Sequence, residues 1–365
     1  METIPSSDRM SELKAFDETK AGVKGLVDSG ITTIPRIFIQ DQHTKHKFDD
    51  KPICRDPKIN IPIIDFEGIH KDANLRSRAI DQIRSACEKW GFFQAINHGV
   101  PTSVLDQAID GIRRFFEQDV EVKKKYFSRD YSKKVRYCSN INLFSAPILY
   151  WKDTLSCDLG RDFSNPEELP EACRDIMITY NNQMWKTGEI LCELLSEALG
   201  LSPNYLKDIG FVEEMTIGNN YYPECPQPEL TIGVTTHSDP GFVTVLIQDR
   251  IGGLQVFCED QWFDITPVPG ALVVNLGYMM QLITNDKFKS AYHRVLSKKE
   301  GSRISIGSFF MNNSCSRRYG PIKDLLSDEN PPLYPEITLK DIYNNQSSIE
   351  ELSALQKLKL ARRCA

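Results

Sequence analysis

After Thr216 the hydrophobic period of this 365-residue chain changes from helical to strand-like, and that change constrains the fold more than any other feature. The apolar runs at 244–248, 254–257, 262–266, 271–275 and 303–309 are short and separated by closely set Gly and Pro turns. Side chains alternate across a strand, so each run can bury one face against a second sheet while the turns fold the strands back on themselves. A sandwich or jelly roll is the expected result.

Upstream the pattern is mixed. A short strand is predicted at 61–66, with Pro62 near its start or at an edge. A helix follows over 79–90, with Ile80, Ile83, Ala86, Cys87 and Trp90 at helical spacing and Gly91 as its stop. Residues 92–96 read as another strand, and Asn97-His98-Gly99 as a structural turn. Thr102 or Ser103 can cap a helix that buries Leu105, Ala108, Ile112, Phe115 and Phe116. A long helix is expected over 170–199, stopped by Gly200, and helical character returns at 339–343 and 349–360. The expected organisation is a polar, irregular N-terminal arm (1–57), a helical region (58–205), a jelly-roll domain (206–325) and a C-terminal helical segment (326–365).

Composition excludes several classes. Lys+Arg 44 against Asp+Glu 50 leaves a net charge of −6 without a dense basic block, which argues against nucleic acid as the partner. No run approaches the ~18 apolar residues of a membrane span. The ten cysteines are scattered with no Cys-x-x-Cys pair, and the first residues lack an apolar leader core, so a reducing cytoplasmic setting is expected. Asn312 and Asn345 fit the glycosylation pattern but would not meet the machinery there. Nothing suggests an obligate assembly, so a monomer is expected. Nucleophile elbow, Walker loop, His-Glu-x-x-His and Gly-x-Gly-x-x-Gly motifs are all absent from the sequence.

What remains is concentrated between 218 and 310. His237 and Asp239, two apart on an extended stretch, share a face and can reach one point. His293 opens a further strand-like run and supplies a third donor; two imidazoles and one carboxylate suit non-haem Fe(II). His-x-Asp is common by chance and is often a surface hydrogen-bonded pair. Arg303 and Ser305 also share a strand face, and a guanidinium fork beside a hydroxyl fits a carboxylate end-on. Alone, Arg-x-Ser is weak; in order after His-x-Asp and a distal His it becomes specific.

With these residues in place, the chain resembles the plant Fe(II)- and 2-oxoglutarate-dependent dioxygenases, in the branch of 1-aminocyclopropane-1-carboxylate oxidase homologues, and is similar to deacetoxyvindoline 4-hydroxylase. The motifs are IPIIDF (61–66), WGFFQAINHGVP (90–101), WKDT (151–154), NYYPECPQP (220–228), HSD (237–239), GGLQV (252–256), PVPG (267–270), HRV (293–295) and RIS (303–305). The resemblance implies a mixed α/β fold with a double-stranded β-helix core, a helical N-terminal region and a C-terminal helix. It implies that His237, Asp239 and His293 bind Fe(II). Arg303 and Ser305 would hold the distal carboxylate of 2-oxoglutarate, with Tyr222 bonded to it and Asn220 close by. Phe309 matches a substrate-cavity position, and Leu149, Tyr150 and Phe310 are further apolar candidates.

The activity implied is O₂-dependent hydroxylation or O-demethylation of an apolar small molecule of specialised metabolism, with 2-oxoglutarate converted to succinate and CO₂ and ascorbate keeping the iron ferrous. Two departures stand out: Tyr278 follows Gly277 where the family commonly has Asp, and Tyr292 precedes the distal His where an acid is frequent. Three alternatives stay open. They are an ethylene-forming-type oxidase using ascorbate in place of 2-oxoglutarate, a catalytically inactive binding homologue, and a cupin-like metal hydrolase.

Overall fold

The computed structural model describes residues 6–40, 48–56, 59–311, 317–338, 341, 355, 358 and 359. Its helices are α1 (Ser6–Thr19), α2 (Gly22–Asp28), α3 (Ala73–Lys89), α4 (Thr102–Glu117), α5 (Val120–Lys124), α6 (Arg174–Ala198), α7 (Tyr205–Asp208) and α8 (Tyr278–Ile283). The strands are β1 (Ile63–Asp65), β2 (Phe92–Ile96), β3 (Val135–Cys138), β4 (Asp153–Cys157), β5 (Glu214–Tyr222), β6 (Val234–His237) and β7 (Val243–Gln248). They continue with β8 (Leu254–Cys258), β9 (Gln261–Asp264), β10 (Leu272–Leu276), β11 (His293–Val295), β12 (Arg303–Met311), β13 (Arg318–Tyr319) and β14 (Ile337–Thr338).

Three layers result. A major sheet in the order β1-β2-β10-β7-β12-β5-β4-β3 lies against a minor sheet in the order β6-β11-β8-β9, the double-stranded β-helix that the strand pattern anticipates. Strict alternation builds both interiors. On β10, Leu272 and Val274 enter the apolar cluster under α3, α4 and α6, while Val273 enters the cluster between the sheets with Leu254, Val256 and Val295. Phe92 and Phe93 split the same way on β2. Strands from before residue 205 therefore share one sheet with those after it.

Several local expectations need correction. Residues 6–28 of the N-terminal arm are mostly helical rather than irregular, and Leu13, Phe16, Val23 and Phe38 pack with Leu143, Leu149 and Trp151. It is tied down by Asp153, whose carboxylate accepts from the backbone N–H of Val23 and Lys24, both at 2.8 Å. A Cβ on Gly22 (φ +69°) would come within 2.4 Å of that carboxylate, so glycine is required there. α3 starts six residues before the predicted 79 because Asp72 caps it, accepting from Asn74 and Leu75 N–H. Neither Thr102 nor Ser103 caps α4; the cap position is Pro101, which offers no side-chain acceptor. α6 begins at Arg174 and not at 170. His98 is the turn residue expected, its Nε2 lying 2.9 Å from Gly270 O. The helices expected over 339–343 and 349–360, like Asn312 and Asn345, lie largely outside the described residues.

Candidate metal centre and adjoining cavity

His237 ends β6 and His293 opens β11, and the antiparallel register sets them opposite each other. Their ring centroids are 4.2 Å apart. Asp239 follows two residues after His237, and its Oδ1 lies 3.6 Å from Nε2 of each histidine. One ligand atom from each residue falls within 4.8 Å of the others.

Neighbouring groups orient every donor. His237 Nδ1 lies 2.8 Å from Thr235 O and His293 Nδ1 3.2 Å from Ala291 O. A carbonyl only accepts, so each Nδ1 carries a proton and Nε2 faces the shared point. Asp239 Oδ2 accepts from Thr244 Oγ1 (2.6 Å) and Asn275 Nδ2 (2.7 Å), which leaves Oδ1 for the histidines. The Asp239 backbone is fixed from α8, where Tyr278 N–H donates to Asp239 O at 2.9 Å. A Cβ on Gly277 would lie 2.0 Å from Gly241 O, so this close approach needs glycine.

Electrostatics separate the two imidazoles. Burial, aided by His293, pushes His237 down to about 4, so it is neutral at physiological pH. Burial also pulls on His293, but Asp239 outweighs it and raises that imidazole. Burial alone would raise the Asp239 carboxyl; His293, His237 and Thr244 together hold it well below the usual carboxylate range. A neutral imidazole, a carboxylate and an imidazole that yields its proton to an incoming cation form a donor set that fits Fe(II).

Arg303 is a buried cation, 1% exposed. It donates to Ser305 Oγ (3.0 Å) and Gln248 Oε1 (2.9 Å) and lies over the Tyr222 ring at 4.9 Å. Its Nε has no partner among the described residues, and no carboxylate there comes within ion-pair distance. A buried guanidinium that no carboxylate contacts is costly even with Asp249 nearby, and an incoming carboxylate relieves that cost. This is the observation on which a dicarboxylate such as 2-oxoglutarate fits. The β5–β12 register places Tyr222 beside Arg303 and Asn220 beside Ser305.

The substrate-side candidates divide. Phe309 shares the Arg303–Ser305 face of β12; its ring lies over Gly218 and Gly307 and borders a hollow with Thr216 and Met311. Tyr150 lines an adjoining cavity of about 250 Å³ and its hydroxyl is 3.0 Å from Thr235 Oγ1. Leu149 faces the other way, into the cluster under the N-terminal helices, because alternate residues of this segment point to opposite sides; Ile148 lines the cavity instead. Phe310 likewise points into the core, against Trp185 and Gly188 of α6. The two tyrosine departures also have homes: Tyr278 packs in the helix-side core and Tyr292 against Phe48.

Four residues escape sequence reasoning: Thr244, Asn275, Gln248 and Lys152. Asn275 is the one polar residue in the apolar run at 271–276, a readable signal; the others become visible only through the strand order.

Comparison with known proteins gives the family. A profile described as the 2OG-Fe(II) oxygenase superfamily matches residues 213–312, and one described as the non-haem dioxygenase in morphine synthesis N-terminal matches 61–178. Deacetoxyvindoline 4-hydroxylase of Catharanthus roseus is 48% identical over 93% of this chain and 86% of that protein. The 1-aminocyclopropane-1-carboxylate oxidase homolog 1 of Arabidopsis thaliana is 51% identical over 93% of this chain and 92% of its own. Among solved structures, JOX2 in complex with 2OG, Fe and JA superposes with a TM-score of 0.79 at 30% identity, covering 93% of this chain and 98% of that one.

Proposed function

Because the chain belongs to the 2OG-Fe(II) oxygenase superfamily, we propose that it hydroxylates, or O-demethylates, a largely apolar small molecule of plant specialised metabolism. The protein is a dioxygenase-type oxidoreductase that uses Fe(II), 2-oxoglutarate and O₂. His237, Asp239 and His293 are assigned as the iron ligands. When bound there, iron and 2-oxoglutarate supply the O₂ activation that yields succinate and CO₂ and breaks a substrate C–H bond.

The chain's own residues do the positioning. Thr244 and Asn275 hold one oxygen of Asp239 away, so that the other faces both imidazoles. Arg303 and Ser305 take the far carboxylate of 2-oxoglutarate, Tyr222 bonds the same molecule, and Asn220 lies beside it. Fixing that end sets the keto-acid end toward the histidines. Phe309 and Tyr150 are assigned as apolar walls on the substrate side. Ascorbate keeps the iron ferrous between turnovers. We read residues 206–325 as the jelly-roll catalytic domain, with 58–205 as the N-terminal dioxygenase region that adds strands to its major sheet and 326–365 as a C-terminal segment. The ten scattered cysteines, all free thiols at the eight described positions, support a cytoplasmic protein, and a monomer is expected. No helix among the described residues is long and apolar enough to cross a membrane.

The observation that carries this reading is the pairing of a His-Asp-His cluster with a buried guanidinium that no carboxylate among the described residues contacts. Purified protein given Fe(II), ascorbate and 2-oxoglutarate should release succinate, and His237→Ala should abolish the release. Turnover supported by ascorbate without 2-oxoglutarate would favour the ethylene-forming type. No succinate from the native protein under any substrate mixture would favour an inactive homologue.

A further inference from the structure

We propose that Lys152 selects the substrate by binding a carboxylate, so that the molecule oxidised is an apolar acid held at a fixed distance from the iron ligands. This rests on the oxygenase reading and names the substrate class within it.

The segment from 148 to 158 alternates. Leu149, Trp151, Asp153, Leu155 and Cys157 are buried, whereas Tyr150, Lys152, Thr154 and Ser156 line the cavity. Lys152 Nζ donates to Asn220 Oδ1 at 2.9 Å, and Thr154 Oγ1 donates to the same oxygen at 3.0 Å. A neutral amide thus fixes the ammonium without neutralising it, and the ammonium's remaining hydrogens are left for another acceptor. The other cation lining this cavity, Arg136, is already paired with Asp158 at 2.7 Å. No carboxylate among the described residues lies within ion-pair distance of Lys152.

The position suits a second anion. Lys152 immediately precedes β4, and β5 lies between β4 and β12, which carries Arg303. Two strand spacings of ~4.8 Å put roughly 10 Å between the two backbones, so Arg303 can hold the cosubstrate while Lys152 holds another molecule. Lys152 Nζ is 5.8 Å from the centroid of the Tyr150 ring, and the Tyr150 hydroxyl reaches Thr235, two residues before His237. Ile141, Ala146 and Ile148 give the same cavity an apolar wall. An acid with an apolar body matches both surfaces.

The test is calorimetric. Iron-loaded protein under nitrogen is titrated first with 2-oxoglutarate, then with 3-(2-naphthyl)propanoic, 4-phenylbutanoic and decanoic acids and with the methyl ester of each. A charge-assisted hydrogen bond predicts at least one acid binding about tenfold or more tightly than its ester. Lys152→Met should erase that preference and Lys152→Arg should keep it, with melting profiles confirming that both fold. Equal affinity of every acid and ester for the native protein overturns the proposal, as does a preference that survives Lys152→Met. The acid–ester comparison is read whether or not 2-oxoglutarate gives heat, so a missing cosubstrate signal marks failure of the oxygenase reading alone.

Discussion

The metal centre and the cavity beside it are built by opposite means. At the metal centre every donor is held from behind: Thr235 and Ala291 carbonyls on the imidazoles, Thr244 and Asn275 on the carboxylate, and the α8 amide on the Asp239 backbone. The cavity wall from 139 to 150 is mainly turns and coil, fastened by Asn140 to Tyr150 and by Tyr150 to Thr235. The contrast teaches that the reaction is fixed by paired strands, and the substrate by a segment that can vary without disturbing them.

The sharpest way to break this contrast is Arg303→Met. Losing one side of a buried charge–carboxylate contact costs about 3–5 kcal/mol, on the order of 10²–10⁴ in affinity. The KM for 2-oxoglutarate should rise by that amount in a succinate assay. The metal-free variant should melt close to the native protein, because the cost of burying a guanidinium that no carboxylate contacts offsets its bonds to Ser305 and Gln248 and its attraction to Asp249. A lower melting point with an unchanged KM would make Arg303 structural. On the cavity side the prediction inverts. Leu149→Ala should lower stability by about 2–5 kcal/mol, seen as an earlier denaturation midpoint. Its succinate release per folded molecule should stay native, since its side chain lies under the N-terminal helices.

Asn275→Leu probes the support behind the carboxylate. Outer hydrogen-bond partners of a metal ligand are worth about 10–100-fold in metal affinity. Fe(II) titration should show a loss of that size, with the fold retained because Asn275 lies in a wholly buried strand that leucine also suits. An unchanged affinity would mean that Thr244 alone orients Asp239.

The same contrast explains what was legible in the sequence. His237 with Asp239, and Arg303 with Ser305, are pairs whose two-residue spacing was readable, whereas His293 joins the first pair only through the β6–β11 register. Phe92 and Phe93, or Leu272 and Val273, could be assigned to opposite interiors by alternation. Outside a paired strand nothing in the sequence fixes the phase of the alternation, and there the reading slipped: Leu149 looked like a cavity residue and turned out one position out of phase with Ile148 and Tyr150. Phe310 slipped for a related reason, since two adjacent phenylalanines cannot both face the cavity. The N-terminal helices were hidden because their burial depends on Trp151 and Asp153, more than a hundred residues away.

The smallest effect is the most diagnostic of how the metal centre differs from an ordinary histidine cluster. In the metal-free protein His293 is raised by Asp239 above its ordinary value of 6.5, whereas His237 sits at about 4. A metal requires both imidazoles neutral, so below the raised His293 value one proton competes with it. Affinity should weaken as pH falls, by about tenfold per pH unit, with a slope of one between that value and about pH 5. The raised imidazole also contributes folding stability to the metal-free protein. That contribution is fully present below pH ~6.5 and is lost as pH rises through the folded value. Calorimetric titration of Fe(II) under nitrogen in buffers of different ionisation heat counts the protons released. One proton supports the division of labour between the two histidines; two would show His237 charged as well, and a flat profile would mean that Asp239 does not hold a proton on His293.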